Sequence, residues 1–415
     1  MTSTKDVSFP DLEDLLPKAP PEDDTLALKL REEARAVLLE KKNFDLLDND
    51  ELAALWNLLE KHKSPLSVDG KVYLTYAQFL NAGKEACPKA AQVTAQMRLF
   101  PQRYFTATVF AKLCRGDRLS RVNILTLFNY AMKTIWLQQT RIGISLYDVT
   151  GDGYLRESDL ENYICELIPS LTKLRGVDSA FKTFYVCTAT RKFFFFLDPL
   201  RAGRVRISDI LASGYLDAML ELRETNITLE QLEANWFSFE SAKRVYASYL
   251  HLDDDRNGML SRQELSGYNN GTLTDAFLDR VFQECLTYEG EMDYKAYLDF
   301  VLAMENRHEP QAIIFLFRIL DLGGQGRLCS RTLEYFFSAV EERLGPSPDV
   351  PRSCDVLNEI FDMVKPRHPD YITLDDLLRS GKGDTVLSIL FDIQAFFMYE
   401  NREALAAGAG GETVI

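Results

Sequence analysis

Leu252 to Leu265 reads LDDDRNGMLSRQEL, and the spacing of its oxygen-bearing side chains decides the fold. Asp253, Asp255 and Asn257 stand at the first, third and fifth positions of a loop, Gly258 at the sixth, Ser261 at the ninth and Glu264 at the twelfth. This is the arrangement of a helix–loop–helix calcium site. Carboxylates and an amide approach from alternate residues, the backbone carbonyl of Met259 adds an oxygen, Ser261 holds a water, and Glu264 contributes both oxygens from the first turn of the exit helix. An oxygen-rich, seven-coordinate shell of this kind suits calcium and fits magnesium poorly. Gly258 falls where the chain must turn with positive φ.

Working outward, Leu260 is the eighth loop residue, which forms one half of a miniature β-bridge to a partner loop. The same form, a short apolar residue between polar ones that opens a new helix, recurs at Leu74, Leu119, Leu155, Val205, Met292, Leu328 and Ile372. Such units work in pairs, so Leu260 is expected to face Met292, Leu155 to face Val205, and Leu328 to face Ile372. Between Leu260 and Met292, Thr274 opens a helix whose Phe277, Leu278, Val281, Phe282, Cys285 and Leu286 form one apolar stripe. The spacing of the recurrences is irregular, which makes the chain a divergent array and not a strict-period solenoid. The predicted fold class is all-α: an elongated array of divergent, paired EF-hand-like helix–loop–helix units with miniature β-bridges between their loops.

The expected organisation begins with a disordered segment, 1–24, rich in Pro, Asp and Glu. An N-terminal helical region with degenerate hands follows over 25–135, its first helix carrying Leu28, Leu30, Ala34, Val37 and Leu38 on one stripe and its second capped by Asn49 or Asp50. A weak or silent hand pair spans 136–230, the pair with the complete loop 236–307, a C-terminal EF-hand-like helical region 308–405, and a flexible tail 406–415. CPKAAQ near 90, ETNITLEQLEAN before Trp236 and LGPSPDVP near 348 read as linkers.

A second metal candidate lies at Asp148 to Asp159. It keeps Asp148, Asp152, Gly153 and the backbone carbonyl of Tyr154, but Thr150 replaces a carboxylate or amide, Asp159 is one methylene shorter than the bidentate Glu, and Arg156 puts a cation at the ninth position. Weak binding or a metal-free structural hand is expected there. Three further loops read as silent scaffold. Leu200 and Ala202 occupy ligand positions in one, Thr332 ends another, and Cys285 begins the third. The run Phe193–Phe196 surrounds a helix with aromatic rings, to be buried between adjacent hands or offered to a partner groove.

The bulk composition narrows the function classes. With 415 residues, 46% of them hydrophobic, the chain can form two to four compact units at roughly 100–200 residues each. Against 62 acidic residues stand 47 basic ones, a formal charge of -15 that disfavours nucleic acid and anionic membrane. No apolar run approaches the roughly 20 residues of a membrane span, and the N-terminus lacks the pattern of a secretory signal. Seven scattered cysteines without Cys-x-x-Cys suit a reducing cytosol or nucleus. His62, His251, His308 and His368 are isolated, and neither a nucleophile elbow nor a phosphate-binding loop is present, so no catalytic site is expected. Thr413-Val414-Ile415 with a free carboxylate has the form of a PDZ-domain ligand.

Four long blocks carry a family likeness: Thr140–Leu171, Arg191–Leu211 (RKFFFFLDPLRAGRVRISDIL), Leu278–Arg307 and YENREAL at Tyr399–Leu405. They resemble the B-double-prime regulatory subunits of protein phosphatase 2A, the gamma type in particular, from about Leu28 to Leu405. The resemblance implies a non-catalytic subunit that joins the phosphatase scaffold and catalytic subunits, selects substrate phosphoproteins or location, and is tuned by calcium at Asp253–Glu264. It further implies centrosomal, microtubule and cell-division contexts in cytoplasm and nucleus. The start before Leu28 reads as shorter than in such relatives. An alternative from another class is a free-standing EF-hand calcium sensor, which should expose an apolar groove, and so bind a hydrophobic dye, when calcium is added.

Overall fold

A computed structural model describes residues 25–44, 46, 49–64, 72–86, 104–114, 119–345 and 351–402. The expected N-terminal segment 1–24, the CPKAAQ stretch, residues 346–350 of LGPSPDVP, and the tail 406–415 with Thr413–Ile415 lie outside them. The chain divides into two compact units, Met1–Gly153 and Tyr154–Ile415. Among the described residues no helix is long and apolar enough to cross a membrane.

Among the described residues, three two-stranded ribbons mark hand pairs. In the first unit β1 (Tyr73–Leu74) meets β2 (Val122–Asn123); in the second β3 (Tyr154–Arg156) meets β4 (Arg204–Arg206) and β5 (Arg327–Cys329) meets β6 (Tyr371–Thr373), all antiparallel. Leu155 faces Val205, Leu328 faces Ile372, and Leu260 and Met292 form an isolated bridge, as their spacing predicts. The expectation for Leu119 is overturned. Val122 is the residue opposite Leu74, and it is buried, whereas Leu119 is exposed. The reason is local geometry: the bridging residue is followed at once by the helix N-cap, as in Val122–Asn123, Leu155–Arg156, Leu260–Ser261 and Ile372–Thr373. Asn123 accepts from the N–H groups of Leu125 and Thr126 at 2.9 and 3.2 Å, so the bridge must sit beside it.

In the first unit, helices Asn49–Lys61, Tyr76–Ala86, Ala107–Leu113 and Ile124–Ser145 close over Leu59, Leu74, Phe79, Phe110 and Val122. A Cβ on Gly83 would stand 2.7 Å from the Cβ of Phe105, so the helix reaches Phe105 only with glycine there. Gly83→Ala is therefore expected to lower stability by about 1–3 kcal/mol by overpacking, against its better helix propensity, and a urea melt would read it. The first helix, Thr25–Phe44, departs from its predicted stripe: Leu30, Val37 and Leu38 are exposed, and Leu39 instead packs with Leu46 and Ile142.

The second unit shares one core that runs from Phe195 and Phe196 to Phe396. All four rings of Phe193–Phe196, within helix Ser179–Leu197, are buried, which overturns the partner-groove reading. Phe193 meets Phe237, Phe195 meets Phe315 and Phe196 meets Tyr215, so the unit's own elements cover the helix. Arg191, one turn earlier, grips Asp299 on helix Tyr294–Glu305 through both carboxylate oxygens at 2.8 Å. Part of the expected linker before Trp236 is the helix Leu229–Ala234, opened by a reciprocal Thr228–Gln231 cap. Helix Asp275–Glu284 ends before Leu286, which leaves the predicted stripe and is exposed, and Thr274 caps that helix by position, its hydroxyl making no hydrogen bond. The segment after Ser388 docks on that helix: Phe391 stacks on Phe277 at 4.0 Å, and Arg307 donates to Asp392 at 2.7 Å.

Candidate metal centre

Helix Phe239–Leu252 delivers the loop because Ser238 caps its start and Ala242, Val245, Tyr249 and Leu252 bury one face. Asp253 follows at its C-terminal end, itself buried, and its Oδ2 accepts from the N–H of Gly258 at 3.1 Å. Gly258 has φ +80, which an L side chain rarely adopts. Asp255 Oδ1 accepts from the N–H of Asn257 at 3.0 Å, and Asn257 Oδ1 from that of Met259 at 2.7 Å. These short-range bonds wind the loop so that alternate side chains converge.

At the exit, Ser261 and Glu264 cap helix Arg262–Leu265 reciprocally. Glu264 Oε2 accepts from the N–H and hydroxyl of Ser261 at 2.8 and 2.7 Å, and Oε1 from the N–H of Asp254 at 2.9 Å. Burial pushes the Glu264 carboxyl up, but the bonds from Ser261, Asp255 and Asp254 outweigh it and hold the group below its ordinary value. Arg262 ties the exit helix to Asp275 and Asp279 at 2.8 and 2.7 Å. Leu260 and Met292 exchange both backbone bonds at 2.8 Å, locking the loop to its partner.

The oxygens of Asp253, Asp255 and Glu264 lie within 4.8 Å of one another, and no other group of His, Cys, Asp or Glu among the described residues does the same. Asp253 Oδ1 is buried with no hydrogen-bond partner. A buried carboxylate oxygen left unpaired is unfavourable unless a cation or donor meets it. The donor set, all oxygen and mostly carboxylate, therefore fits a hard divalent ion.

The loop from Asp148 to Asp159 is organised differently at its start. Asp148 is also buried, but both of its oxygens are taken: Gly151 and Thr150 donate to Oδ1 at 2.6 and 3.2 Å, and Gly153 to Oδ2 at 2.9 Å. Asp152 is exposed. In the second unit, Asp159 Oδ2 accepts from the N–H of Arg156 at 2.9 Å, while Arg204 and Arg206 lie over the ring of Tyr154. Of the silent loops, two keep the turn and the bridging residue: Asp198 accepts from Gly203 at 2.7 Å and Asp321 from Gly326 at 2.6 Å, ahead of Val205 and Leu328.

Two residues matter here that spacing does not reveal. The hydroxyl of Tyr249 donates to the carbonyl of Gly258 at 2.7 Å, and its ring packs against Tyr294 and Tyr297 of the partner hand. Glu291, in the partner loop, accepts from Asn257 Nδ2 at 3.2 Å. Neither belongs to the loop template, and only the bridge brings Glu291 near.

No family model matches the chain. It is 55% identical over 391 residues to the B'' gamma regulatory subunit of serine/threonine-protein phosphatase 2A from Homo sapiens, covering 94% of this chain and 84% of that protein. The Arabidopsis thaliana protein TON2, named as a probable B'' regulatory subunit of the same phosphatase, is 37% identical over 399 residues, covering 94% and 82%. A solved chain described as a PP2A PR70 holoenzyme, with "diCa" in its designation, superposes with a TM-score of 0.54 at 26% identity, covering 59% of this chain and 92% of that one. Both sequence relatives are named as regulatory subunits, and this chain likewise is a regulatory protein and not an enzyme. Identity of this extent, running through hands whose bridges pair residue by residue, means that the chain belongs to the B'' family of regulatory subunits of serine/threonine-protein phosphatase 2A.

Proposed function

We propose that the chain joins the scaffold and catalytic subunits of protein phosphatase 2A into a heterotrimer, directs that enzyme to substrate phosphoproteins, and takes calcium at Asp253–Glu264 as its tuning site. The observation that carries the reading is the 55% identity to B'' gamma over 94% of the chain. The diCa designation of the PR70 holoenzyme and the unpaired buried oxygen of Asp253 support calcium as the ion. The residues to hold it are Asp253, Asp255, Asn257, Glu264 and the carbonyl of Met259, with Ser261 through water. Bound there, calcium supplies the positive charge that offsets three gathered carboxylates.

The chain's own residues make the loop consequential. Asp253 ends the entry helix and Glu264 sits on the exit helix, so the separation of their oxygens reports the angle between the two. Arg262 carries that angle to helix Asp275–Glu284, and Tyr249 carries it to the aromatic core. A change of angle there adjusts a docking surface. The Asp148–Asp159 loop, with Asp148 already satisfied by its own turn, serves as structure. The same reading extends to cytoskeletal, centrosomal and cell-division settings in cytoplasm and nucleus.

Affinity purification of the tagged chain from cells, followed by mass spectrometry, is expected to recover the phosphatase scaffold and catalytic subunits together. Repeated recovery of neither would overturn the proposal.

A further inference from the structure

The third silent loop, which Cys285 begins, folds as a tight hairpin. Tyr288 and Glu291 exchange backbone bonds at 2.8 and 3.0 Å across Glu289 and Gly290, whose φ angles of 53° and 90° suit the two-residue turn that reverses a strand. The hairpin sets Glu291 beside Met292, the residue bridged to Leu260. It thereby carries a carboxylate across to the metal loop, where Asn257 Nδ2 lies 3.4 and 3.2 Å from its two oxygens. Among the described residues Glu291 makes no ion pair, so the Asn257 amide is what this carboxylate holds.

The orientation of that amide matters because only its oxygen can serve a cation. Asp255 Oδ2 accepts from Asn257 Nδ2 at 3.1 Å, and the N–H of Met259 donates to Asn257 Oδ1 at 2.7 Å. Two carboxylates that only accept and one N–H that only donates leave the amide a single orientation. The N–H of Met259 belongs to the same peptide unit as the carbonyl of Gly258, which accepts from the Tyr249 hydroxyl at 2.7 Å. One peptide plane is therefore gripped at both ends, just after Gly258 turns the chain at φ +80 and just before the Met259 carbonyl. Both grips lean on the partner hand. Tyr249 is buried with its ring 4.9 and 5.1 Å from those of Tyr294 and Tyr297, and the Tyr294 hydroxyl is tied to Thr188 at 2.9 Å.

We propose that Tyr249 and Glu291 are positioning residues of the metal loop, through which a partner hand without a ligand set of its own fixes the Gly258–Met259 peptide and so sets calcium affinity. The proposal rests on the calcium reading of Asp253–Glu264 and adds what regulates that site. Donors and acceptors already in place cost less to arrange when the ion enters.

The test combines calcium calorimetry of the full-length chain with hydrogen exchange of segment 253–264 in calcium-free buffer. Glu291→Ala and Glu291→Gln remove the same charge, but glutamine keeps an acceptor for Asn257. Alanine should weaken calcium about fivefold and speed exchange of the loop, whereas glutamine should stay within about twofold and leave exchange unchanged. Tyr249→Phe keeps the ring and loses the hydroxyl, and it should weaken calcium about fivefold and speed exchange as well. The calcium-free urea midpoint of Glu291→Ala should match that of the unsubstituted chain; a marked fall would make Glu291 a structural residue and overturn its role. Equal losses in Glu291→Gln and Glu291→Ala, or equal exchange in all four proteins, would overturn the positioning role and leave the calcium reading standing. An unsubstituted chain that releases no heat with calcium would overturn the calcium reading, and the affinity claim with it.

Discussion

Calcium titration of Glu264→Gln is expected to release no heat in the micromolar range, where the unsubstituted chain does, a loss of about a hundredfold or more in affinity. Glutamine keeps the size of the side chain and removes one of the three charges whose oxygens lie within 4.8 Å. It also turns one of two accepting oxygens into a donor. That donor would face the N–H of Asp254 or of Ser261, so the helix cap weakens by about 1 kcal/mol without calcium. The acid response follows from the same bonds. The folded carboxyl sits below its ordinary value of 4.5, so the folded state binds fewer protons there. Its contribution is complete above that pH and is lost as pH falls through the folded value. A silent titration of the unsubstituted chain would remove the calcium assignment, whatever the variant does.

Asp299→Ala should destabilise the second unit by about 3–5 kcal/mol, because it leaves Arg191 buried and stripped of its bidentate partner. Glu157 is no substitute, as it reaches Arg191 only at 3.4 Å and already holds Lys295. A buried pair is expensive to break and cheap to replace as a whole. The double variant Arg191→Met with Asp299→Leu is therefore expected to recover most of the loss in a urea melt. If the double variant is as unstable as the single one, the pair's charges are not what holds helices Ser179–Leu197 and Tyr294–Glu305 together.

The hands are legible where the physics is local. A turn glycine, a bridging apolar residue and an N-cap stand within four residues at Leu155, Val205, Leu260, Met292 and Leu328, and Ile372 keeps the bridge and cap with Asp370 in the glycine's place, so all six pair as their spacing predicts. Leu119 misleads because it is apolar and precedes polar residues, yet the cap that defines the bridge is Asn123. The stripe of the first helix misleads for another reason. A periodic face shows which residues could be buried, and the neighbours that arrive decide which ones are, here Leu39 and not Val37 or Leu38. Phe193–Phe196 is open to two readings in sequence, and only the rings that pack around it choose burial.

By itself the sequence determined the family, the paired hands and the candidate metal loop, because the atoms of that loop come from twelve consecutive residues whose order dictates their geometry. Only the tertiary structure decided which charges are satisfied. Arg191 and Asp299 stand 108 positions apart, so no spacing rule connects them. Their pairing depends on how helices pack and how deeply each group is desolvated. That packing leaves Asp253 with one oxygen to offer a cation, fills both oxygens of Asp148, and buries two nitrogens of Arg318 without an acceptor.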